Sequence, residues 1–416
     1  MKILVWGINY APEVTGIAPY NQGLCEFLVE KGHEVHMLTT FPYYPEWKKR
    51  PGDDEILYQT EIQKGVQVHR CWHYVPPQPS PFQRIVHEAS FVCNAFIRGL
   101  FIDKIDRIVL ISPPLPLGIA GWILSLWRGV PFVYHIQDLQ PDAGIHMGLI
   151  QSPLLQRFLY ACERLIYSKA AKITVISYAM KSMIEAKGHP KEKIELFPNW
   201  YHRLVPASKE GSRSESEVSS EEAFSFKKSL SIPSTPLLLV YSGNFGKKQG
   251  LEILVETASR VSPERAHWIF CGDGAAKAEL VQRVQELKLN HVHFLPLQEI
   301  SKYRRLLEES DLCLVSQIGG TGKFFFPSKL LSILSHGKPV LTVADEDSEL
   351  AHAMTHGFGI NHPTHDPDQI AASIEKLFHD RSQLQTMGEK GRAYVAQFDK
   401  TKILSEFEEL LQKIES

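Results

Sequence analysis

The stretch YSGNFGKKQGLE, residues 241–252, crowds Gly243, Gly246 and Gly250 around Asn244, Lys247 and Lys248. Glycines let backbone come close to a ligand, and ammonium groups beside a helix start suit a diphosphate. A plain solvated turn needs neither the preceding apolar run nor two adjacent lysines. Further along, Gly272-Asp273-Gly274 closes another apolar run, although this triplet is also a common tight turn. In NYAPEVTGIAPY, residues 9–20, Gly16 precedes a helical stripe whose free N–H groups could face an anion. An ordinary βα turn accounts for it equally well, and without G-x-G-x-x-G a nicotinamide site is disfavoured. In VYHIQDLQPDAG, residues 133–144, His135, Asp138 and Asp142 gather at a strand end where a core needs no polar cluster. They are the acid/base or hydroxyl-binding candidates, with a packed histidine as the other reading. In KFFFPSKLLSILSHGKPVL, residues 323–341, Ser328 and Lys329 open a helix. Pro327 and Ser328 are ordinary helix starters, and Lys329 can still add a second cation beside a diphosphate.

These residues need strands and helices to hold them. Residues 1–40 contain an apolar strand, a Gly/Pro loop, a helix with Ile17, Tyr20, Leu24, Phe27 and Leu28 on one face, and a second strand. Short β-rich runs recur in DRIVLIS, PFVYHIQ and KITVISY, which predicts a parallel sheet covered by helices on both faces. Between Ser208 and Glu222 the composition is too polar to order itself, so 205–235 reads as a flexible linker or excursion. The βα rhythm then restarts in PLLLVYS, HWIFCGD, HVHFLPL, DLCLVS and KPVLTVA. The predicted organisation is a Rossmann-like domain over 1–204, the linker, and a second Rossmann-like domain over 236–394. A last amphipathic helix follows, extending from about Asp380 to Ser416. Ligands of two such domains bind in the cleft at the carboxyl ends of their strands.

With 416 residues the chain suits two cores, and 45 Lys plus Arg against 47 Asp plus Glu argue against nucleic acid as a partner. Six scattered cysteines without C-x-x-C, and a strand beginning at Met1, make a reducing cytoplasm the expected compartment. The apolar stretches 91–102 and 113–127 are too short or Pro-interrupted to span a bilayer, yet either could lie on its surface.

Taken in order, GINYAPEVTGIAPYNQGL, HIQDLQPD, FPNWYH, YSGNFGKKQGLE, CGDG and PSKLLSILSHGKPVL resemble the GT4-type retaining glycosyltransferases of the GT-B fold. Within them the set is most similar to the colanic-acid and capsule, WcaI-like group. The resemblance covers nearly the whole chain. It implies an α/β, GT-B fold: two Rossmann-like doubly wound domains facing across a cleft, with a C-terminal helix, about 395–416, that crosses back to the first. It also implies that Gly16 approaches the donor phosphate and His135 contacts the transferred sugar or its phosphate. Lys247, seconded by Lys329 and its neighbour Leu330, balances the diphosphate, and Asn244 stands where many relatives have Arg. Gly243 belongs to the same loop. Backbone at Gly272, Asp273 and Gly274 and from Leu295 to Gln298 frames the nucleobase, and Asn199 matches an Asn after the strand leaving the first domain. Most relatives carry two glutamates eight positions apart, for the sugar and ribose hydroxyls; here Phe324 and Ser332 stand in those places. A serine can still bond a ribose hydroxyl, at a loss of about 1–2 kcal/mol relative to a charged acceptor. Phe324 leaves the sugar to neighbours such as Gly320, Thr321 or Lys323, and suits a deoxy sugar such as fucose.

The expected reaction is metal-independent transfer, with retention, from a UDP- or GDP-sugar to a lipid-linked or oligosaccharide acceptor in cell-surface polysaccharide synthesis. No metal or other cofactor is expected, since lysines and helix N-termini can neutralise the leaving group and no Asp-x-Asp or His cluster has ligand spacing. The catalytic candidates are His135, Asp138 and Lys247, Asp138 being the helper for the acceptor hydroxyl. FPYYPEWKKRPGDD and VPPQPSPFQRIVHEASFVCNAFIRGLF mix aromatic, basic and apolar residues, and suit peripheral attachment to the inner membrane face beside a lipid-linked acceptor. The missing glutamates motivate a second reading, a degenerate member that binds a nucleotide sugar or a partner without transfer. A nucleotide-sugar epimerase would need an acid/base pair that the sequence does not offer.

Overall fold

The computed structural model describes residues 1–14, 16–77, 80–146, 148, 150–201, 224–317, 329–363 and 366–414. The chain divides into two compact units, 1–199 with 401–416, and 200–400.

The first unit is built on eight strands: β1 (Lys2–Trp6), β2 (Glu34–Thr40), β3 (Tyr58–Gln63), β4 (Val66–Cys71), β5 (Arg107–Ser112), β6 (Phe132–Ile136), β7 (Lys172–Val175) and β8 (Ile194–Leu196). Their order is β3-β4-β2-β1-β5-β6-β7-β8, all parallel except β3. The central strands are apolar on both sides because helices cover both faces, and burying each Val, Ile or Leu contributes about 1.5–3 kcal/mol. The helices are α1 (Ala18–Glu30), α2 (Pro81–Gly99), α3 (Leu115–Arg128), α4 (Asp142–His146), α5 (Pro153–Lys169) and α6 (Tyr178–Ala186). The edge hairpin β3–β4, closed by Lys64 and Gly65, adds an antiparallel strand that the helical periodicity did not suggest.

The second unit holds β9 (Leu237–Ser242), β10 (Ala266–Cys271), β11 (Val292–Leu295), β12 (Leu312–Ser316), β13 (Val340–Val343) and β14 (Gly359–His362). They form one parallel sheet in the order β11-β10-β9-β12-β13-β14. Leu237, Leu239, Trp268, Phe270, Leu314 and Leu341 face one core, whereas Leu238, Val240 and Ile269 face another.

Two boundaries move. Residues 202–223 lie outside the described residues, but 224–235 are no flexible linker: Phe226 and Ile232 are buried against Leu238, Val240 and Ile269, so this segment belongs to the second unit's core. The single helix expected over 380–416 is broken. One helix spans Ser382–Val395, a short turn follows, and the next spans Lys400–Lys413. That last helix packs on the first unit through Phe407, whose ring stacks on Phe197 with centroids 4.2 Å apart. His33 Nε2 lies 3.2 Å from the Glu408 carboxylate, and Arg107 donates to the carbonyls of Leu411 and Ile414, satisfying acceptors that a helix end leaves open.

Candidate anion-binding site

In the second unit, β9, β10 and β11 end side by side, and their loops are knitted by backbone. The Gly243 N–H donates to the Cys271 carbonyl at 2.9 Å and the Gly272 N–H to the Leu295 carbonyl at 2.9 Å. Phe245 N–H donates to Asp273 O and Ala276 N–H returns to Phe245 O, both at 2.8 Å. Phe245 itself is fully buried and rivets the loop to the core. Such closeness needs glycine: a Cβ at Gly272 would lie 1.9 Å from the Gly243 carbonyl oxygen, and one at Gly274 would lie 2.5 Å from Asn244 Oδ1. Their φ values, 153° and 150°, are also ones that L side chains rarely adopt.

Lys329 begins the helix Lys329–Ser335 and reaches under this loop. Its ammonium lies 3.8 Å from the Tyr241 ring centroid and 3.4 Å from the Ser242 carbonyl, and a Cβ at Gly243 would sit 3.6 Å from Nζ. One carbonyl and one ring face are poor replacements for water, so burial pushes its pKa down to about 7. A cation held so close to half-buried loop backbone, yet incompletely compensated, favours any anion that arrives there. Lys247, on the turn Lys247–Gln249, is exposed on the same loop, as is Asn244.

The other predicted residues divide. Asp273 turns away from the loop, bonded by its own neighbour Gly274 N–H at 2.8 Å and paired with Lys277 at 3.0 Å. Leu330 is fully buried in the core, so only its backbone could serve a ligand; Leu295 likewise packs its side chain against the Phe226 cluster. Gln298 folds onto the Pro296 carbonyl at 2.6 Å. Ser332 is half-buried on the helix Lys329–Ser335, beside the buried Leu331 and Ile333. Ser328, Phe324, Gly320, Thr321 and Lys323 lie outside the described residues.

In the first unit Gly16 stands just before α1, whose N-terminus has no side-chain cap. Sequence reasoning missed the two charged side chains that shape this loop. Glu13 is buried and accepts from the N–H groups of Tyr43 and Tyr44, both at 2.9 Å, and from Asn9 Nδ2 at 2.8 Å; burial raises its pKa despite these bonds. Arg70, also buried, donates to the carbonyls of Ala11 and Thr40 and to Glu61. A lone Glu between Pro12 and Val14 was the available signal for the first; nothing local marked the second.

His135 is not the open acid/base group that its position at a strand end suggested. It is buried within a polar chain: Nδ1 lies 3.0 Å from Thr174 Oγ1, Nε2 lies 2.8 Å from Gln137 Nε2, and Gln137 exchanges amide bonds with Asn199 at 2.9 and 3.0 Å. An amide donor at Nε2 assigns the proton to Nδ1, and burial lowers the ring's pKa to about 3. His135 is therefore a neutral positioning group. The cluster expected with it is also split, since Asp142 pairs with Lys187 at 2.5 Å, as does buried Glu163 at 2.6 Å. Asp138 is half-buried just past β6. Because the unfolded chain binds a proton on His135 between pH 6.5 and 3 that the folded protein refuses, stability should fall as pH drops through that window. Thermal melts of wild type and His135→Gln from pH 7 to 4 check this: the variant's dependence should be shallower by about one proton. Equal slopes would assign the effect elsewhere.

Among the described residues no group of three His, Cys, Asp or Glu is placed to hold a metal ion.

Residues 15–200 match the family described as glycosyl transferase 4-like domain, and residues 223–394 match glycosyl transferases group 1. The putative colanic acid biosynthesis glycosyl transferase WcaI of Escherichia coli (strain K12) is 34% identical over 84% of this chain and 85% of its own. Among solved structures, Anabaena HepE in complex with UDP superposes with a TM-score of 0.70 at 18% identity, covering 99% of this chain and 100% of that one. Sucrose-phosphate synthase from Thermosynechococcus elongatus gives 0.74 at 18% identity over 99% and 98%.

Proposed function

The chain belongs to the GT4-like, group 1 glycosyltransferases, and from that premise we propose that it moves a sugar from a nucleoside diphosphate to a saccharide acceptor in polysaccharide synthesis. The observation that carries the donor assignment is the knitted loop pair Gly243–Gly250 and Gly272–Ala276 with the Lys329 ammonium beneath it and Lys247 on it. Loop backbone locked together through its glycines, with two ammonium groups beside it, suits a diphosphate. UDP is the first candidate, GDP the second, because HepE was solved with UDP. Phe324, at the place of a carboxylate in relatives, favours a deoxy sugar such as fucose.

In the proposed reaction the bond from the anomeric carbon to the β-phosphate oxygen breaks as the acceptor oxygen bonds to that carbon on the same face. The acceptor proton passes to the departing phosphate, so configuration is retained and no enzyme nucleophile is required. Lys329 and Lys247 stabilise the charge that develops on the diphosphate, which removes the need for a metal ion. Asp138 orients the acceptor hydroxyl, while neutral His135, its ring nitrogens held by Thr174 and Gln137, exchanges no proton and positions the polar chain that ends at Asn199. The acceptor is a lipid-linked saccharide met at the cytoplasmic membrane face.

Calorimetric titration with UDP, GDP and ADP, without added metal, tests the donor site. One nucleotide should bind selectively, and Lys247→Ala should weaken it about tenfold, the value of one charge-assisted bond. Binding of none would sink the assignment and promote a non-transferring role.

A further inference from the structure

We propose that Lys187 is a positioning residue for sugar transfer: its single ammonium gathers Asp142 of α4 and Glu163 of α5, and so fixes the turn that presents Asp138. This rests on the reading of Asp138 as the group that orients the acceptor hydroxyl, and names what holds it in place.

The turn is short and cannot shape itself. β6 ends at Ile136 and α4 begins at Asp142, so residues 137–141 bridge them at the carboxyl end of the strand, where open α/β sheets take their ligands. α4 has only five residues, and a helix that short has no stability of its own. Whatever fixes Asp138 must come from other elements.

Three clamps supply it. At the near end the Gln137 N–H donates to the Ser112 carbonyl at 2.9 Å, and the Gln137 side chain exchanges amide bonds with Asn199. In the middle Leu139 is fully buried, and Gln140 Oε1 accepts from the N–H of Leu115, the first residue of α3, at 2.8 Å. At the far end Lys187 Nζ donates to Asp142 Oδ2 at 2.5 Å, and the Tyr160 hydroxyl donates to Oδ1 at 3.3 Å. Asp138, half-buried, stands between these fixed points. Of the three clamps this last one is ionic and reaches across the chain, since Lys187 is 45 residues from Asp142 and 24 from Glu163.

Lys187 starts from a fixed backbone. It ends α6, with its N–H donating to the Met183 and Ile184 carbonyls at 3.3 and 3.2 Å. Its ammonium lies 2.6 Å from Glu163 Oε1 and 5.2 Å from the Tyr160 ring centroid. The Glu163 and Asp142 side chains are 3% and 12% exposed, so both carboxylates are largely out of water. Such a trio contributes little net stability, because desolvating three charges offsets most of their attraction. What it supplies is direction. Two carboxylates from two helices converge on one nitrogen, which leaves α4 a single seat on α5. Without the ammonium the two carboxylates face each other unscreened, and their repulsion drives α4, with the turn before it, away from that seat.

Three variants of the full-length protein carry the test: Lys187→Met, Lys187→Arg and Lys172→Met. The last is a control, removing another partly buried lysine of the same unit from its pair with Glu195 at the amino end of β7. Rates are followed as nucleotide release from UDP-glucose and from GDP-fucose, with octyl glucoside and octyl galactoside as acceptors, and divided by the nucleotide sites found by titration with UDP or GDP. Lys187→Met should bind nucleotide like wild type, because the donor loops lie in the second unit, and should keep its donor KM within about twofold. Its kcat per site should fall by about 10²-fold, the cost of a misplacement of about 1 Å. Lys187→Arg, whose forked guanidinium can still meet two carboxylates, should recover most of that loss, and Lys172→Met should show none. Hydrogen exchange reads the geometry directly: amides 137–146 should lose protection in Lys187→Met and regain it in Lys187→Arg, with β1 and β5 protected throughout. Unchanged kcat or unchanged protection of 137–146 in Lys187→Met overturns the proposal, as does a loss that arginine fails to repair. Asp142→Ala, which releases α4 while sparing the Glu163 pair, should show the same selective loss of kcat, and decides the matter if Lys187→Met is too unstable to assay. A wild type that binds UDP or GDP but turns over neither donor sinks transfer and this role of Lys187 together. A wild type that turns over while Lys187→Met keeps pace sinks the clamp alone.

Discussion

Lys329→Met is expected to reduce sugar transfer by about 10²–10³-fold, the cost of removing one preorganised donor from developing charge, while raising the melting temperature. The two effects share one cause. The Lys329 ammonium is held by a ring face 3.8 Å away and a carbonyl at 3.4 Å, too little to replace its hydration, and its pKa falls to about 7. Between pH 7 and 10.5 the unfolded chain keeps a proton there that the folded protein loses, so stability rises with pH across that window. Below pH 7 the folded protein bears the whole cost of a poorly solvated cation. Methionine removes that cost, so the variant's gain should be largest below pH 7 and shrink towards pH 10; melts across that range check it. A bound diphosphate reverses the balance by favouring the charged form. Nucleotide affinity should therefore fall as pH rises through about 7, and binding near neutral pH should take up a proton, visible as a buffer-dependent heat. A variant that is both less stable and fully active would overturn this account. On the proposed reading function is stored as local instability, a trade common at sites built for charged ligands.

Gly272→Ala should cost about 2–4 kcal/mol and remove nucleotide binding together with the fold of the loop. The added methyl carbon would stand 1.9 Å from the Gly243 carbonyl oxygen, and that partner is backbone, unable to swing aside. Relief requires Gly243 to move, and Gly243 is bonded to the Cys271 carbonyl and packed beside Lys329 Nζ. Gly188→Ala makes the control: its φ is 86°, so it shares the unfavourable backbone, but nothing lies near its Cβ. It should cost only about 1–2 kcal/mol and leave binding intact. Denaturant melts with UDP titration of both variants decide the matter. If Gly272→Ala binds UDP like wild type, the close approach of the two loops is not what shapes the site.

Much of this was legible in order along the chain. Alternating apolar runs and helical stripes specify two parallel α/β units because strand and helix periods are local properties of five to fifteen residues. The glycines at 243, 272 and 274 and the lysines at 247 and 329 stand out for the same reason: a turn's chemistry is written in adjacent residues. The reading failed where a side chain's partner is remote in sequence. His135 looked available until Thr174 and Gln137 closed both ring nitrogens; Asp142 looked like a member of one polar cluster with it until Lys187 took it; Arg70 carried no sign that it would hold Ala11 and Thr40. The segment 224–235 looked like linker because four apolar residues are too few to predict a core whose other wall lies in β9 and β10.

The sequence by itself therefore determined the parallel β/α alternation of both units and the residue types at each loop, since these follow from short-range periodicity and backbone preference. Only the tertiary structure decided which ionisable groups are poised and which are spent. Proton affinity depends on desolvation and on charges a few ångströms away in space, and two of the groups that enclose the Lys329 ammonium, Tyr241 and Ser242, are 88 and 87 positions away in the chain.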